Sequence, residues 1–423
     1  MAGQRRRQPG GHTMRSRSSA GGFPLIWDAV VVGAGPAGAT TALLLARAGA
    51  SVLLLDRARF PRDKPCSEYL SPATTDVLER LGEGLLGAVE RTTHAELYGM
   101  KVVAPGGTAM VGRFRGASRP YSLAVPRTSF DAILVAAAAR AGAEVCERVT
   151  VENVVSERGT VAGVVGRSGN GKRGTYPSRI VVGADGLRSV VARRLGLVRH
   201  SPPHRVAFTT HVADVAGVDQ VGELHVSERG YVGLGPVGGG ITTVALVLPL
   251  RVVRRSGRDY RTEFFKELDR FPGLAGRFDP RRQVREVLAT GPFAQWARAA
   301  AVPGALLVGD AADFFDPFTG QGIHTALRGA ELAAECLIPG LAPGGNATTP
   351  LQSYERARRR AFRGKWLLER LIGLGVGSPA LTDRVVARLA RRPDLADLVV
   401  SATGNIVPTR DVLAPSVLAR MLW

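Results

Sequence analysis

A glycine-rich turn near the start of the chain has the residue types and spacing that bind phosphate groups. It follows an apolar run at residues 29–32, and its diagnostic residues in G-x-G-x-x-G spacing are Gly33, Gly35, Pro36, Ala37 and Gly38. The first glycine permits a sharp turn, the second lets the backbone approach a pyrophosphate, and the third lets a helix pack against the strand. The helix that follows offers free N–H groups and the positive end of its dipole to phosphates.

An acidic residue completes this unit. A second apolar run at residues 51–55 ends at Asp56, whose carboxylate can accept hydrogen bonds from a ribose diol. The next residue, Arg57, is assigned to the same nucleotide. Strand, turn, helix, strand and acid together predict a dinucleotide-binding βαβ unit, and this pattern alone leaves NAD and FAD open.

Two distant segments add groups of the same kind. A strand at residues 179–182 precedes Asp185 and Gly186, and a strand at residues 304–308 precedes Gly309 and Asp310. A Pro/Gly-rich loop then begins a long helix and contains Pro317, Gly320, Gln321 and Gly322. Asp310 suits a chain of sugar hydroxyls, and the helix start favours the negative charge that reduced flavin carries near N1 and O2. Because a flavin needs both a ribityl contact and a helix end, the three segments together predict FAD.

The loop after Asp56 supplies the candidate catalytic residues. Lys64 and Cys66 are assigned to the cofactor, because a cysteine in such a loop more often contacts the flavin than acts as a nucleophile. Glu68 is the candidate base and Tyr69 the candidate hydrogen-bond donor to a phenolic oxygen, with a solvated Glu68 and a packed Tyr69 as the alternative. The histidines show no triad with an acid and a Ser or Cys, and no cluster has metal-binding spacing.

Composition limits the class of protein. The 423 residues are 45% hydrophobic and 22% charged, which is typical of a globular protein. No apolar run approaches the about 20 residues that a membrane span needs. The net charge is +20, and the basic residues are nearly all arginine. The excess of positive charge reflects either the overall amino-acid composition or an anionic binding partner. Since no nucleic-acid motif accompanies it, no nucleic-acid partner is expected, and three separated cysteines favour a reducing cytoplasm.

Several elements must position these residues. Short strands broken by glycines at residues 95–125 and 205–249, with an amphipathic helix at residues 261–271, predict a second domain. Residues 1–22 predict a disordered tail. Residues 351–423 are mostly helical, and the arginine-rich segment 354–371 predicts a surface helix packed on the core. Contact of this segment with membrane lipids or with a lipophilic substrate is the alternative.

With its three motifs in order, the chain resembles the FAD-dependent oxidoreductases of the para-hydroxybenzoate hydroxylase superfamily over residues 28–337. The loops at residues 60–66 and 314–320 resemble its geranylgeranyl-reductase-like and secondary-metabolite monooxygenase branch. The resemblance implies an α/β fold, in which a glutathione-reductase-type FAD-binding βαβ domain carries an inserted, mostly antiparallel β-sheet substrate domain and a helical C-terminus. It also implies that Arg127 lies near the pyrophosphate and that Asp185 and Gly186 serve FAD and a visiting nicotinamide cofactor.

The same resemblance implies the domain boundaries. The FAD-binding domain takes residues 23–94, 126–200 and 293–345, and the substrate domain takes residues 95–125 and 201–292. The helical C-terminal region takes residues 346–423.

The implied activity is that of an FAD-dependent monooxygenase. Using NADH or NADPH and O₂, it would hydroxylate or epoxidise a lipophilic phenol, polyketide or related secondary metabolite through a flavin hydroperoxide. Prenyl reductases of the branch carry Tyr-x-Trp-x-Phe-Pro, whereas this chain has Gly233 and Gly235 in place of the Trp and Phe, which widens the pocket. A reductase of prenyl or polyene double bonds and a membrane-associated flavoprotein without turnover are the alternatives. Reduction by a separate flavin reductase and peripheral contact with a membrane also stay open.

Overall fold

A computed structural model of the protein describes residues 26–202, 204–346 and 351–422. The predicted tail at residues 1–22 lies outside these ranges. None of the helices described is long and apolar enough to cross a membrane.

The strands alternate with helices in the first third of the chain and cluster in its middle. The first strands are β1 (Trp27–Val32), β2 (Val52–Leu55), β3 (Tyr69–Leu70), β4 (Ala95–Leu97), β5 (Gly99–Val103), β6 (Ala109–Arg113) and β7 (Ser122–Ala124). The next are β8 (Glu144–Cys146), β9 (Val149–Glu157), β10 (Thr160–Ser168), β11 (Arg173–Gly183), β12 (Val198–His200), β13 (Arg205–Ala213) and β14 (Gly222–Ser227). The last are β15 (Gly230–Gly238), β16 (Ile241–Pro249), β17 (Leu288–Thr290), β18 (Gln295–Ala297), β19 (Ala301–Val302), β20 (Ala305–Leu307) and β21 (Asp313–Phe314).

The helices are concentrated at the two ends of the chain. The first are α1 (Pro36–Arg47), α2 (Pro72–Leu81), α3 (Leu85–Glu90), α4 (Arg127–Arg140), α5 (Val190–Arg194), α6 (Leu250–Ser256) and α7 (Phe264–Leu268). The others are α8 (Gly322–Leu341), α9 (Leu351–Val376), α10 (Pro379–Ala390), α11 (Pro393–Thr403), α12 (Thr409–Val412) and α13 (Pro415–Leu422).

The central sheet is mostly parallel and has the order β19-β20-β11-β1-β2-β8, with the β9–β10 hairpin extending from β11. Strands β20, β11, β1, β2 and β8 pair in parallel. All four residues of β2 and the last four of β1 are buried, as expected for apolar strands covered on both faces. Helices α4 and α8 each contact α1, and the apolar residues of these helices join the sheet in one core.

A second sheet is mostly antiparallel and has the order β17-β13-β16-β15-β14-β5-β6. One face is covered by the segment around α7, where Tyr260, Phe264 and Phe271 are buried against the strands. The other face packs against Leu187, Phe314 and Phe318, which lie in segments that follow strands of the central sheet. These two sheets and the helical C-terminal region confirm the predicted fold class.

The C-terminal helices connect the two sheets. Helix α9 packs on α8, whereas α10 and α11 pack on β6 at the edge of the antiparallel sheet. The Tyr354 hydroxyl, at the start of α9, donates to the carbonyl of Leu307 in β20 at 2.7 Å. The C-terminal region is therefore part of the same packed structure.

Three predicted elements differ from the observed ones. The helix predicted at residues 261–271 is observed only as α7. Pro272 disfavours helical geometry in Phe271 and so accounts for the loss of that residue. The strand expected at residues 144–155 is divided into β8 and β9 by Arg148, which has a φ of +58°. The strand predicted at residues 179–182 is the end of the longer β11.

Candidate functional site

The glycine turn, Asp56 and the two later segments meet at the carboxyl edge of the central sheet. In the parallel registers Val32 lies opposite both Leu55 and Gly183, and Gly183 lies opposite Leu307. Strands β2, β1, β11 and β20 therefore end side by side, and the loops that follow them converge. This edge is where open parallel sheets bind nucleotides.

Backbone crowding leaves no room for side chains at Gly33 and Gly38 of the glycine turn. Gly33 has a φ of +97°, and a Cβ there would lie 2.6 Å from the carbonyl oxygen of Ala184. A Cβ on Gly38 would lie 1.8 Å from the carbonyl oxygen of Gly33, so only glycine lets α1 approach β1 this closely. The Cβ position of Gly35 is 3.5 Å from Nη2 of Arg62. Bare backbone thus lies beside a guanidinium group, an arrangement that suits a pyrophosphate.

Asp56 is oriented by two backbone N–H groups. Its Oδ2 accepts a hydrogen bond from Ala34 at 2.7 Å, and its Oδ1 accepts one from Ala58 at 2.8 Å. Each oxygen keeps a further lone pair, so the carboxylate can still accept from a ribose. Arg57 is exposed beside it.

The predicted pyrophosphate ligand Arg127 is engaged in an ion pair. Its Nε and Nη2 donate to the two carboxylate oxygens of Asp131, both at 2.7 Å. Arg62 reaches the same carboxylate at 2.8 Å and lies over the Phe60 ring. Arg127 lines the cavity together with Gly35, so its role at the pyrophosphate stays a prediction, and the approach of Arg62 to Gly35 adds a second candidate. Nothing in the sequence distinguishes Arg62 from the arginines around it, so sequence reasoning does not find it.

Lys64 and Asp310 bring a cation and an acid to the same cavity wall. Burial raises the pKa of Asp310, and the positive charges of Lys64 and Arg127 oppose that rise. Burial likewise lowers the pKa of Lys64, against the attraction of Asp310. Each group therefore favours the charged form of the other, and together they offer both a donor and an acceptor to a chain of hydroxyls.

The loop from Pro317 to Gly322 forms another part of the cavity wall. Gly320 has a φ of +67°, and Tyr69 packs against it so closely that a Cβ there would lie 2.9 Å from the ring. Gln321 donates its side-chain amide to two carbonyls of α11, while its Oε1 is buried with no partner among the described residues. No heavy atom of the described chain lies within 4 Å of the Cβ position of Gly322. The start of α8 is therefore open to the cavity.

Asp185 serves as a helix cap. Its Oδ2 accepts from the N–H of Val190 at 2.6 Å, whereas its Oδ1 is buried and unpartnered within the part of the chain that the structure describes. Burial raises the pKa of Asp185. Gly186 lines the cavity, and its Cβ position is 3.4 Å from Nζ of Lys64. The role of this pair in nucleotide binding stays a prediction.

Glu68, the candidate base, links the antiparallel sheet to the start of α4, where its Oε1 accepts from the N–H of Arg127 at 3.2 Å, and it does not face the cavity. Its Oε2 accepts hydrogen bonds from Nε2 of His211 at 2.7 Å and from the hydroxyl of Thr243, and Nη1 of Arg285 lies 3.6 Å from its Oε1. Burial raises the pKa of Glu68, but these hydrogen bonds and the Arg285 charge outweigh it, so the pKa is lowered. The carboxylate is fully buried and is not part of the cavity lining. This geometry favours a positioning role over the predicted base.

Tyr69 and Cys66 do face the cavity. Burial raises the pKa of Tyr69, so its hydroxyl is protonated at neutral pH. The sulfur of Cys66 accepts a hydrogen bond from the N–H of Glu68 at 3.3 Å. Both residues therefore lie where the predicted roles need them, and Tyr69 as a hydrogen-bond donor and Cys66 beside the cofactor stay predictions.

A cavity of about 600 Å³ runs from the glycine turn to the C-terminal helices. The predicted site residues in its lining are Gly35, Pro36, Ala37, Lys64, Cys66, Tyr69, Arg127, Gly186, Asp310, Pro317, Gly320, Gln321 and Gly322. The predicted residues outside the lining are Gly33, Gly38, Asp56, Arg57, Glu68, Asp185 and Gly309. Its far end is apolar and is lined by Leu368, Ile372, Val385, Leu389, Val400, Leu413, Leu418 and Met421.

Carboxylates along the cavity wall beyond Asp310 are neutralised by cations. The pairs are Asp313–Arg358 at 2.6 Å, Asp316–Arg205 at 2.6 Å, Glu369–Lys365 at 2.9 Å and Glu223–Arg277 at 2.9 Å. The Tyr231 hydroxyl also donates to Asp316 at 2.6 Å, and burial together with that carboxylate raises the pKa of Tyr231. Sequence reasoning misses these pairs, because their members lie far apart in the chain or on a helix with many similar charges.

These features fit FAD. The glycine turn with Arg127 and Arg62 would receive the pyrophosphate, Asp56 the adenosine ribose, and Asp310 the ribityl chain. The open start of α8 would receive the ring system. The fold and site thus define a flavin-dependent oxidoreductase, and residues 27–365 match the family described as FAD binding domain. The chain belongs to that family, within the para-hydroxybenzoate hydroxylase superfamily.

Named relatives match much of the chain. Menaquinone reductase of Mycolicibacterium smegmatis is 29% identical, and the match covers 91% of this chain and 93% of that protein. Digeranylgeranylglycerophospholipid reductase 1 of Methanococcoides burtonii is 28% identical over 79% of this chain and 80% of that protein. Conditioned medium factor receptor 1 of Dictyostelium discoideum is 29% identical over 74% of this chain, which spans 63% of that protein.

Solved structures share the fold. The myxobacterial chondrochloren halogenase CndH has a TM-score of 0.73 and 25% identity, with 82% of each chain covered. A geranylgeranyl bacteriochlorophyll reductase-like protein of Thermoplasma acidophilum has a TM-score of 0.76 and 21% identity, with 94% of this chain and 98% of that chain covered.

Proposed function

We propose that the protein reduces a carbon–carbon double bond in a lipophilic, isoprenoid-like substrate with FAD as its cofactor. The observation that carries this proposal is the cavity, which continues from the flavin end into an apolar region formed by the C-terminal helices. An apolar pocket with few polar groups suits a long hydrocarbon. The names of the menaquinone and digeranylgeranylglycerophospholipid reductases, both similar to this chain, support reduction of a lipid substrate.

The residues of this chain would divide the work between binding and proton supply. Bound flavin supplies a hydride to an alkene or, with O₂, an oxygen atom to a substrate. Reduction also needs a proton, and Tyr69 and Tyr231 are protonated hydroxyls in the cavity lining. The Tyr231 hydroxyl donates its proton to Asp316, whereas the Tyr69 oxygen is hydrogen-bonded to Ser122 in a way that favours the phenolate, so Tyr69 is the better proton donor. The paired carboxylates keep the substrate region free of uncompensated charge.

Monooxygenation of a lipophilic ring compound is the second candidate. Gly233 and Gly235 line the cavity, and no heavy atom of the described residues lies within 4 Å of the Cβ position of Gly235. The space that the Trp and Phe side chains of the prenyl-reductase motif would fill is therefore open to a bulky phenol or polyketide. Hydroxylation of a phenol is helped by a base. The burial of the predicted base Glu68 outside this space therefore counts against monooxygenation.

Product analysis under air and under nitrogen tests both candidates. The purified protein would receive FAD, NADH or NADPH, with or without a flavin reductase, and a panel of polyprenyl quinones, unsaturated isoprenoid lipids and lipophilic phenols. A gain of two hydrogens under nitrogen supports reduction. A gain of one oxygen that requires air overturns it in favour of monooxygenation. A flavin that no reductant reduces would contradict both and favour a binding protein.

A matched pair of tyrosine variants tests the proton donor. Tyr69→Phe should lower the reduction rate about a hundredfold with unchanged flavin content, since general acids typically contribute that much or more. Tyr98 does not line the cavity, and its hydroxyl donates to Glu96. The Tyr98→Phe variant should therefore leave the rate unchanged. Equal rates for the two variants would contradict the role of Tyr69.

A further inference from the structure

We infer that the C-terminal helices dock the mouth of the cavity on an anionic lipid bilayer. This inference concerns where the substrate is taken up, and it holds for either candidate reaction. Large apolar side chains are exposed on α9, α10 and α13, and we call them the leucine rim. Its members, 37–69% exposed, are Leu367, Leu371, Leu374, Leu381 and Leu422.

The leucine rim is concentrated on one part of the surface. The other large apolar side chains that are exposed in the described residues are dispersed over several elements: Ile26, Val111, Val284, Trp296 and Ile338. Single exposed apolar residues are normal, but a group of leucines on neighbouring helices marks a contact surface.

Three rim leucines also form the opening of the cavity. Leu371, Leu381 and Leu422 are exposed to solvent and line the cavity as well, so they lie where it opens. The wall behind them continues with apolar residues of the same helices. A lipophilic molecule that enters here from a bilayer would pass from one apolar environment to another without crossing water.

Positive charge surrounds the leucine rim. Arg363 and Arg370 on α9 and Arg384 on α10 are exposed. Within residues 363–388 the acids are Glu369 and Asp383 alone. Glu369 is buried against Lys365, and Asp383 accepts a hydrogen bond from the N–H of Gly106. A helix with exposed leucines and arginines is suited to the interface of an anionic membrane, which attracts each arginine near its surface.

The charge around the leucine rim also favours an anionic bilayer over a second copy of the chain as its binding partner. A two-fold interface through the rim would bring Arg363, Arg370 and Arg384 of both copies to one interface. Like charges oppose such an interface, and the net charge of +20 adds to the repulsion. Anionic lipids are complementary in charge and apolar beneath their headgroups.

Vesicle flotation of the full-length, flavin-loaded protein tests the inference. We expect the protein to float with phosphatidylcholine vesicles that contain phosphatidylglycerol and to float much less with phosphatidylcholine alone. The double variant Leu367→Ser/Leu374→Ser, which changes exposed residues outside the cavity lining, should bind about tenfold less. The control Val111→Ser/Val284→Ser removes apolar residues that are 44% and 55% exposed outside the three helices, and it should bind like the wild type. Arg363→Gln/Arg370→Gln should lose the preference for phosphatidylglycerol.

Three results would overturn the inference. One is a wild-type protein that does not float with anionic vesicles, and another is equal binding by the rim variant and the control. The third is a wild-type dimer in sedimentation that the rim variant dissociates, without vesicle binding, which would assign the rim to a second copy. Flavin absorbance and circular dichroism verify that each variant is folded. Because binding is measured without turnover, its failure leaves the proposed reaction untouched.

Discussion

The two ends of the cavity are built in opposite ways. At the flavin end, backbone atoms occupy the space where side chains would stand, as shown by the 1.8 Å between a Cβ on Gly38 and the carbonyl oxygen of Gly33. At the substrate end, Gly235 faces open space, and the far wall consists of side chains from separate helices. The cofactor end should therefore tolerate almost no change, whereas the substrate end should accept changes that alter selectivity alone.

The largest effect is expected at Gly38. Gly38→Ala would force α1 away from β1, at a cost of about 3 kcal/mol in the free energy of unfolding. Because the phosphate-binding turn depends on that close approach, the purified variant should be colourless. Absorbance near the flavin bands and urea unfolding measure the two effects.

A matched glycine variant serves as the control for Gly38. Gly174 lies in the β10–β11 pairing, and its Cβ position is 3.8 Å from the Tyr176 ring, an ordinary contact. Gly174→Ala should keep both stability and colour. A yellow Gly38→Ala protein would show that the cofactor end is less rigid than its geometry indicates.

A smaller effect is expected at the junction between the two ends. Glu68→Gln removes the charge that faces His211 and Arg285, and we expect a loss of about 2 kcal/mol at pH 7. Because the folded protein lowers the pKa of Glu68, this stabilisation is present above the ordinary pKa of a glutamate. It is lost as the pH falls below about 4, so wild type and variant should then approach each other.

Urea unfolding at neutral and acidic pH measures this difference. Glu157 is exposed on β9, and Glu157→Gln should leave the free energy of unfolding nearly unchanged at either pH. If the gap between wild type and Glu68→Gln were the same at both pH values, the ionised carboxylate would not be its source.

The same contrast explains how much of the molecule the sequence reveals. The glycine turn and Asp56 are predictable, because a turn against a strand imposes local backbone limits that leave a spaced pattern. The role of Arg62 is not predictable from the sequence, since its position beside Gly35 depends on how a loop folds back. Glu68 appears in the sequence as a loop acid, and only the packing of His211 and Thr243 around it makes it a junction residue. Contacts between distant segments leave no periodic signal.

Gly235 should show the tolerance of the substrate end. Gly235→Phe would fill open space, so flavin content should stay at the wild-type level. The KM of a bulky substrate should rise about tenfold, which corresponds to about 1.4 kcal/mol of lost binding. Steady-state kinetics with substrates of different width measure this effect, and Gly235→Ala should give a smaller rise. Loss of flavin from Gly235→Phe would mean that the two ends are not independent.

The smallest expected effect tests whether the helices of the substrate end also support the cofactor end. The Tyr354 hydroxyl donates to the carbonyl of Leu307, which precedes the loop that carries Asp310. Tyr354→Phe removes one buried hydrogen bond and should lower the free energy of unfolding by about 1 kcal/mol. Flavin titration should show affinity close to that of the wild type, because α9 keeps its apolar contacts with the core, including Phe362. A marked loss of flavin affinity would instead show that this single contact holds the Asp310 loop in place, and the substrate end would then control cofactor binding.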